Sequence, residues 1–350
     1  MGDKEDKDSA VGFKVGNRYV VSKYIAGGSF GKLYKGQNIK TKEWVAIKLE
    51  PKDVPEPQLT LEFMFYKKLK ATESQGTSTS GSGPSTTSAP SSAAPSGAAS
   101  AAKTTSGSGP LRGVPRVHYF GPCGKYNALV MDLLGPSLTG LQKTCGGKFS
   151  LKTTLYIAIQ LMDIFEYFHG RGLIYRDTKP DNFLFGPSGA ALYNQLYIID
   201  MGLSKDYVDE SGRHIKMVTG KGVTGTVRYM SRNNHAGIEQ SRRDDMEAVG
   251  YMLVYLARGE LPWQGVKADT LRAKYKKIGE IKRSTTPEQL CGDLPPEFAR
   301  FIRTVTALGF EDTPKYRDYS QMFNKVLSKK GLKDDKIYDF DRNHQMRPNK

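Results

Sequence analysis

The spacing of apolar residues changes once along this chain of 350 residues, at Gly135-Pro136. Before that point they fall in short β-branched and aromatic runs. Tyr19 to Ile25 is one such run and ends at Ala26-Gly27-Gly28-Ser29-Phe30-Gly31. Leu33 to Gly36 and Trp44 to Leu49 continue the pattern, which predicts a twisted antiparallel sheet. Leu59, Phe63 and Tyr66 then repeat at helical spacing within 59–70, and Val117 to Phe120 and Ala128 to Leu133 add two strands. After the break helices dominate. Leu155, Ile159, Met162, Phe165 and Phe168 mark a strong amphipathic one, and Asp245 to Arg258 marks another. The expected fold is therefore α+β and bilobal, a β-rich small lobe hinged to an α-helical large lobe.

One segment belongs to neither lobe. Ser74 to Pro110 is built from Ser, Thr, Gly, Ala and Pro with a single charge, Lys103. It has almost nothing to bury against the entropy of ordering, so it reads as a disordered insert in the small lobe. Closure entropy grows only logarithmically with loop length, which makes such an insert tolerable. The expected division is a tail over 1–16, a small lobe over 17–132 carrying the insert 74–110, a large lobe over 133–328 and a tail over 329–350.

Several function classes are excluded by composition. With 38% hydrophobic and 10% aromatic residues the chain can build a core, so wholesale disorder is out. No apolar run approaches the ~18 residues of a membrane span. The N-terminus has no apolar signal core, Asp6 stands where a myristoylation signal needs Ser or Thr, and the C-terminus lacks a prenylation box. Cys123, Cys145 and Cys291 form neither a disulfide framework nor a zinc-type pair. A soluble, intracellular chain is expected, cytoplasmic with the nucleus also open to it, and monomeric with no membrane anchor. The net charge of +16 favours acidic partners. Its basic residues are spread along the chain, so no specific nucleic-acid partner is expected.

The chemistry concentrates in a few positions. The glycine-rich turn is followed by Val45-Ala46-Ile47-Lys48, where a lysine on an apolar strand calls for an anionic partner, and Glu62 on the next helix can supply one. The sharpest signal is Ile174-Tyr175-Arg176-Asp177-Thr178-Lys179-Pro180-Asp181-Asn182, followed by Ile198-Ile199-Asp200-Met201-Gly202. Asn182 and Asp200 offer two hard oxygen donors, a set that suits Mg²⁺ together with phosphate oxygens. Asp177 is left to orient an attacking hydroxyl and accept its proton.

In this order the motifs resemble those of eukaryotic protein kinases. Closer resemblance is to the casein kinase I family, through Val45 to Glu50 (VAIKLE), Leu133 to Leu138 (LLGPSL), Lys179 to Leu184 (KPDNFL), Gly237 to Asp245 (GIEQSRRDD) and Leu261 to Gly265 (LPWQG). Ser231-Arg232-Asn233 lies near the family's Ser-Ile-Asn, while Tyr119 to Ala128 and Ile174 to Asp177 lean toward its gamma-type branch. The likeness covers about 17 to 328. It implies a Ser/Thr protein kinase using ATP and Mg²⁺ on acidic or phosphorylated protein substrates; the alternative is a catalytically weak kinase-fold scaffold. It further implies that Ile25, Gly28, Gly31 and Leu33 cover ATP and that Lys48, paired with Glu62, holds its α- and β-phosphates. Met131 would be the gatekeeper, and Asp132 and Leu134 would offer backbone groups to adenine. Lys179 would neutralise the transferred phosphate beside catalytic Asp177, Asn182 and Asp200 would hold the metal, and Asp245 would brace the catalytic loop.

The departures are informative. Ala26 replaces the first loop glycine, with Gly27 expected to restore the lost backbone freedom; Met201 replaces the usual Phe, and Tyr175 the usual His. The stretch IKMVTGKGV over 215–223 has lost the family's Pro-Tyr-Arg-Glu. Arg228 matches the family's anion-binding arginine, its lysine partner is Leu271 here, and Lys267 and Arg272 are the nearby candidates to replace it.

Overall fold

The computed structural model of the protein describes residues 9–28, 31–70, 113–187, 189–333 and 335–343. The insert 74–110 and the loop tip Ser29-Phe30 lie outside the described residues. Six antiparallel strands form the small lobe: β1 (Lys14–Val15), β2 (Tyr19–Gly28), β3 (Gly31–Asn38), β4 (Trp44–Pro51), β5 (Val117–Cys123) and β6 (Tyr126–Asp132). Their order is β1-β2-β3-β4-β6-β5. Side chains alternate between the two faces, and the two-residue period decides where each points. On β4, Val45, Ile47 and Leu49 join Val21, Tyr34 and Val130 in an outer core. Ala46 on the opposite face packs with Leu129 and Met131 toward the helices, and this is the face that Lys48 shares.

The small-lobe helix among the described residues, α1 (Leu59–Lys70), is fastened at both ends. Buried Glu50 accepts from the Gln58 and Leu59 N–H groups at 2.8 and 3.1 Å, which satisfies donors that a helix start leaves open. Lys68 pairs with Asp206 of the large lobe, and the Tyr167 hydroxyl donates to the Leu69 carbonyl. Midway, Phe63 stacks on Phe120 at 4.4 Å between centroids, holding the helix against the sheet.

The large lobe contains α2 (Leu138–Thr144), α3 (Leu151–Gly170), β7 (Leu173–Ile174), β8 (Phe183–Phe185), β9 (Leu196–Ile198), β10 (Lys205–Asp206) and α4 (Arg232–His235). Then come α5 (Arg242–Arg258), α6 (Leu271–Ser284), α7 (Pro287–Cys291), α8 (Pro296–Thr306) and α9 (Tyr316–Lys329). Leu155, Met162, Phe165 and Phe168 of α3 are fully buried. Helix α5 starts at a capping box of Ser241 and Asp244 and stops at left-handed Gly259 (φ 86°). It is buried along most of its length and forms the lobe's axis.

Between the lobes, Gly135 donates to the Phe185 carbonyl at 2.9 Å, and a Cβ on it would stand 2.5 Å from the Gly186 carbonyl oxygen. Only glycine lets the hinge pass so close to β8. Segments placed in the tails by sequence take part in the packing. Val15 is buried in the outer core, and Tyr338 and Phe340 are buried against Phe185, Tyr156 and Phe149. No helix among the described residues is long and apolar enough to cross a membrane.

Candidate active site

A cleft of about 650 Å³ opens between the lobes. Its roof is Ile25, Gly28, Gly31 and Leu33, its back wall Lys48, Glu62 and Met131, and its hinge side Asp132 and Leu134. Lys179, Asn182 and Asp200 line the floor. Positions as far apart in sequence as Ile25 and Asp200 thus line one space. Ala26 pairs with Leu33 directly after a bulge in β2, and neither Gly27 nor Gly28 takes a positive φ. The expected compensation by Gly27 is therefore not needed. Glycine is required instead at Gly31 (φ 124°), where a Cβ would meet the Leu49 carbonyl oxygen at 2.4 Å.

Lys48 Nζ lies 2.6 Å from Glu62 Oε2 and 3.3 Å from Asp200 Oδ1. Burial alone would push the lysine pKa down, but the two carboxylates outweigh it and hold the ammonium above its usual range. With Glu62 only 1% exposed, the pair fixes α1 against β4. At Asp132 burial would raise the carboxyl, yet the hydrogen bond from His118 (2.7 Å) and the Arg116 N–H (2.9 Å) keep it below the usual range. Asp132 and Leu134 both line the cleft at the hinge.

Asp177, 6% exposed, is held from three sides. Its Oδ2 accepts from Lys179 at 2.6 Å and from the Asn182 amide at 3.1 Å, and its Oδ1 accepts from the Thr226 hydroxyl at 2.8 Å. Asn182 spends a second contact on the Asp177 carbonyl (3.1 Å), so its own carbonyl oxygen remains as the side chain's acceptor. Asp200 adopts a left-handed backbone (φ 61°), which Asp tolerates better than most residues. Besides Lys48 its carboxylate meets, among the described residues, a long contact from the Gly202 N–H at 3.4 Å. Among the described residues no cluster of three Asp, Glu, His or Cys is placed to hold a metal. The Asn182 and Asp200 oxygens fit a divalent cation that completes its shell with phosphate and water.

Behind this floor stands a buried network that the sequence pattern does not display. Asp245 accepts the Tyr175 and Arg176 N–H groups at 2.7 and 2.8 Å and His169 Nε2 at 3.0 Å. Since a carboxylate only accepts, His169 donates through Nε2 and takes the Tyr316 hydroxyl at Nδ1 (2.6 Å). Burial holds His169 below its usual pKa despite Asp245. Arg176 is left-handed (φ 69°), and Gly225 approaches so near that a Cβ there would lie 2.2 Å from the Arg176 carbonyl oxygen. Tyr175, fully buried, donates to the Ile199 carbonyl at 2.7 Å, and Met201 is buried beside Ser204. Thr226, His169 and Glu50 were thus invisible as site residues: their partners lie 49, 76 and 8 positions away with no motif linking them.

The three residues expected at a substrate anion site are less tightly gathered. Arg228 rests over the Tyr255 and Tyr229 rings at 5.3 and 5.9 Å, whereas Lys267 and Arg272 are exposed at the approach to α6 and its first turn. Leu271 between them is 72% exposed.

Comparison with known proteins agrees with this architecture. Residues 118–322 match the model of the protein kinase domain. The chain is 42% identical to casein kinase I homolog RAG8 of Kluyveromyces lactis, over 93% of this chain and 54% of that protein. It is 41% identical to casein kinase I homolog 1 of Saccharomyces cerevisiae over the same shares, and 40% identical to homolog 2 of that yeast over 97% of this chain and 55% of the relative. The chain spans about half the length of these relatives. The chain belongs to the protein kinase family, and the curated relatives it resembles here are casein kinase I homologs.

Proposed function

We propose that the protein transfers the γ-phosphoryl group of ATP to Ser and Thr side chains of acidic or phosphate-primed proteins. The observation that carries this reading is the carboxylate of Asp177, fixed by Lys179, Asn182 and Thr226 at the floor of the cleft whose back wall holds the Lys48–Glu62 pair. Ile25, Gly28, Gly31 and Leu33 close over the nucleotide, backbone groups at Asp132 and Leu134 meet its base, and Lys48 binds the α- and β-phosphates. Asn182 and Asp200 would hold Mg²⁺, which would supply positive charge to the phosphate oxygens. The substrate hydroxyl oxygen bonds to the γ-phosphorus, the bond from that phosphorus to the β–γ bridging oxygen breaks, ADP departs, and the hydroxyl proton passes to Asp177. Lys179, a quarter exposed and already in the cleft, offsets charge on the transferred group. Arg228, assisted by Lys267 or Arg272, meets an acidic or phosphorylated residue before the target.

A weak scaffold is the less favoured reading, because Ala26 keeps its pairing with Leu33 beside a bulge and Met201 fills a buried slot. The test is phosphate incorporation from Mg-ATP into casein and into paired peptides with and without a phosphoserine three residues before the target. Incorporation on Ser and Thr, higher on the primed peptide and abolished by Asp177→Asn, is expected. Nucleotide binding without transfer by the unaltered protein, or equal transfer by Asp177→Asn, refutes the reading.

A further inference from the structure

Beside the catalytic loop runs the segment Thr226 to Met230, which carries Arg228 and touches Asp177 through Thr226. It forms a tight turn, with the Tyr229 and Met230 N–H groups both donating to the Thr226 carbonyl at 2.9 and 3.0 Å. The turn points three carbonyls into the large lobe. Trp263 Nε1 donates to that of Arg228 at 2.8 Å. The carbonyls of Val227 and Met230 both accept from one group, Lys282 Nζ, at 2.9 and 2.7 Å.

Lys282 is an unusual occupant for that place. It is 2% exposed, stands in the last turn of α6, and has no carboxylate within ion-pair distance among the described residues. Its charge is met by carbonyl dipoles and by the Tyr251 and Trp263 rings, whose centroids lie 5.1 and 5.0 Å from Nζ. Glu247, its nearest source of opposite charge, is itself spent on the Arg232 N–H and the Tyr251 hydroxyl. An apolar side chain of equal length would fill the volume without carrying a charge out of water. It would leave two buried carbonyls without partners, and the segment would have to move to find them.

Resting on the kinase reading above, we propose that Lys282 is a positioning residue for the protein substrate, holding the Thr226–Met230 turn so that Arg228 faces the incoming anion while Thr226 steadies Asp177. It touches neither nucleotide nor hydroxyl. Its effect belongs to the groove rather than to the cleft.

Two variants and two readouts test this. Lys282→Met keeps the volume and removes the donors; Trp263→Phe keeps the ring and removes the N–H on the Arg228 carbonyl. Both should raise the KM for a phosphate-primed peptide about tenfold, the worth of one to two lost hydrogen bonds, with the KM for Mg-ATP within about twofold. Hydrogen exchange of the 226–230 amides should quicken in both while that of 174–182 stays as in the unaltered protein. Parallel loss of nucleotide and peptide affinity, or unaltered exchange at 226–230, overturns the proposal and leaves Lys282 a general stabiliser. If Lys282→Met does not fold, Trp263→Phe decides alone. If the unaltered protein transfers no phosphate, the kinase reading fails, and hydrogen exchange still decides whether Lys282 holds the turn.

Discussion

Replacing Asp245 by Asn isolates the support beneath the catalytic loop with the loss of one charge and little volume. The carboxylate accepts three buried N–H groups, from Tyr175, Arg176 and His169. An amide accepts through only one of its two ends. Turned one way it sets an NH2 against the Arg176 N–H; turned the other way it faces both Tyr175 and His169. At least one buried donor is orphaned at about 1–3 kcal/mol, and each surviving bond drops from charged to neutral strength, about 1 kcal/mol apiece. The sum is about 3–5 kcal/mol. For a protein of this size that lowers the melting temperature by roughly 4–7 °C. Arg176 also loses the bond that holds its left-handed backbone (φ 69°) one residue before Asp177, so kcat should fall about 100-fold through misplacement of the carboxylate. Thermal unfolding and steady-state phosphorylation of casein read the two effects. A control, Tyr316→Phe, removes only the outer hydrogen bond of His169 and should cost about 1 kcal/mol. If Asp245→Asn melts within about 2 °C of the unaltered protein and keeps its turnover, the loop holds itself and the network is incidental.

Lys48→Met should strand the buried charge of Glu62 and cut the stabilisation by Mg-ATP in a thermal-shift titration to near nothing; an undiminished shift would show that the ammonium is not a phosphate ligand. Glu50→Ala removes the acceptor at the start of α1, at a cost of about 1–2 kcal/mol, and should raise the KM for ATP by loosening Glu62, as kinetics across ATP concentrations would read. The pH dependence follows from His235, which burial, with Lys282 and Arg283 nearby, pushes down to about 3 from an ordinary 6.5. Between those values the unfolded chain carries a proton that the folded one does not, so stability falls as pH drops below 6.5, and buried His169 acts in the same direction. His235→Gln should flatten that fall by about 1.4 kcal/mol per pH unit in urea unfolding between pH 4 and 6, and an unchanged slope would place the proton uptake elsewhere.

Much of the site was legible because its parts are local. Lys48 on an apolar strand, Asp177 and Asn182 five positions apart, and Asp200 after an apolar run each announce themselves within ten residues. The two-residue period of β4 even places Lys48 on the cleft face with Ala46. Less legible were features that depend on distant partners. Ala26 looked like a lost glycine, but the backbone at that position never leaves the allowed region, and the constraint falls at Gly31 because β4 passes beneath it. Tyr338 and Phe340 sat in a stretch with no period to read, since their partners Phe149, Tyr156 and Phe185 come from three different elements. Lys267 and Arg272 were grouped with Arg228 by proximity along a family pattern, and they remain exposed side chains at the start of a helix.

Alone, then, the sequence determined the order of the elements, the two-lobed division and the identity of the polar groups that line the cleft, because period, turn chemistry and short motifs act over a few residues. Tertiary structure decided which backbone donors Asp245 would capture, that Thr226 would reach Asp177, and that Lys282 would meet two carbonyls more than fifty residues away in sequence. Buried polar groups must find partners wherever the folded chain brings them, and no spacing rule encodes that meeting before the chain has closed on itself.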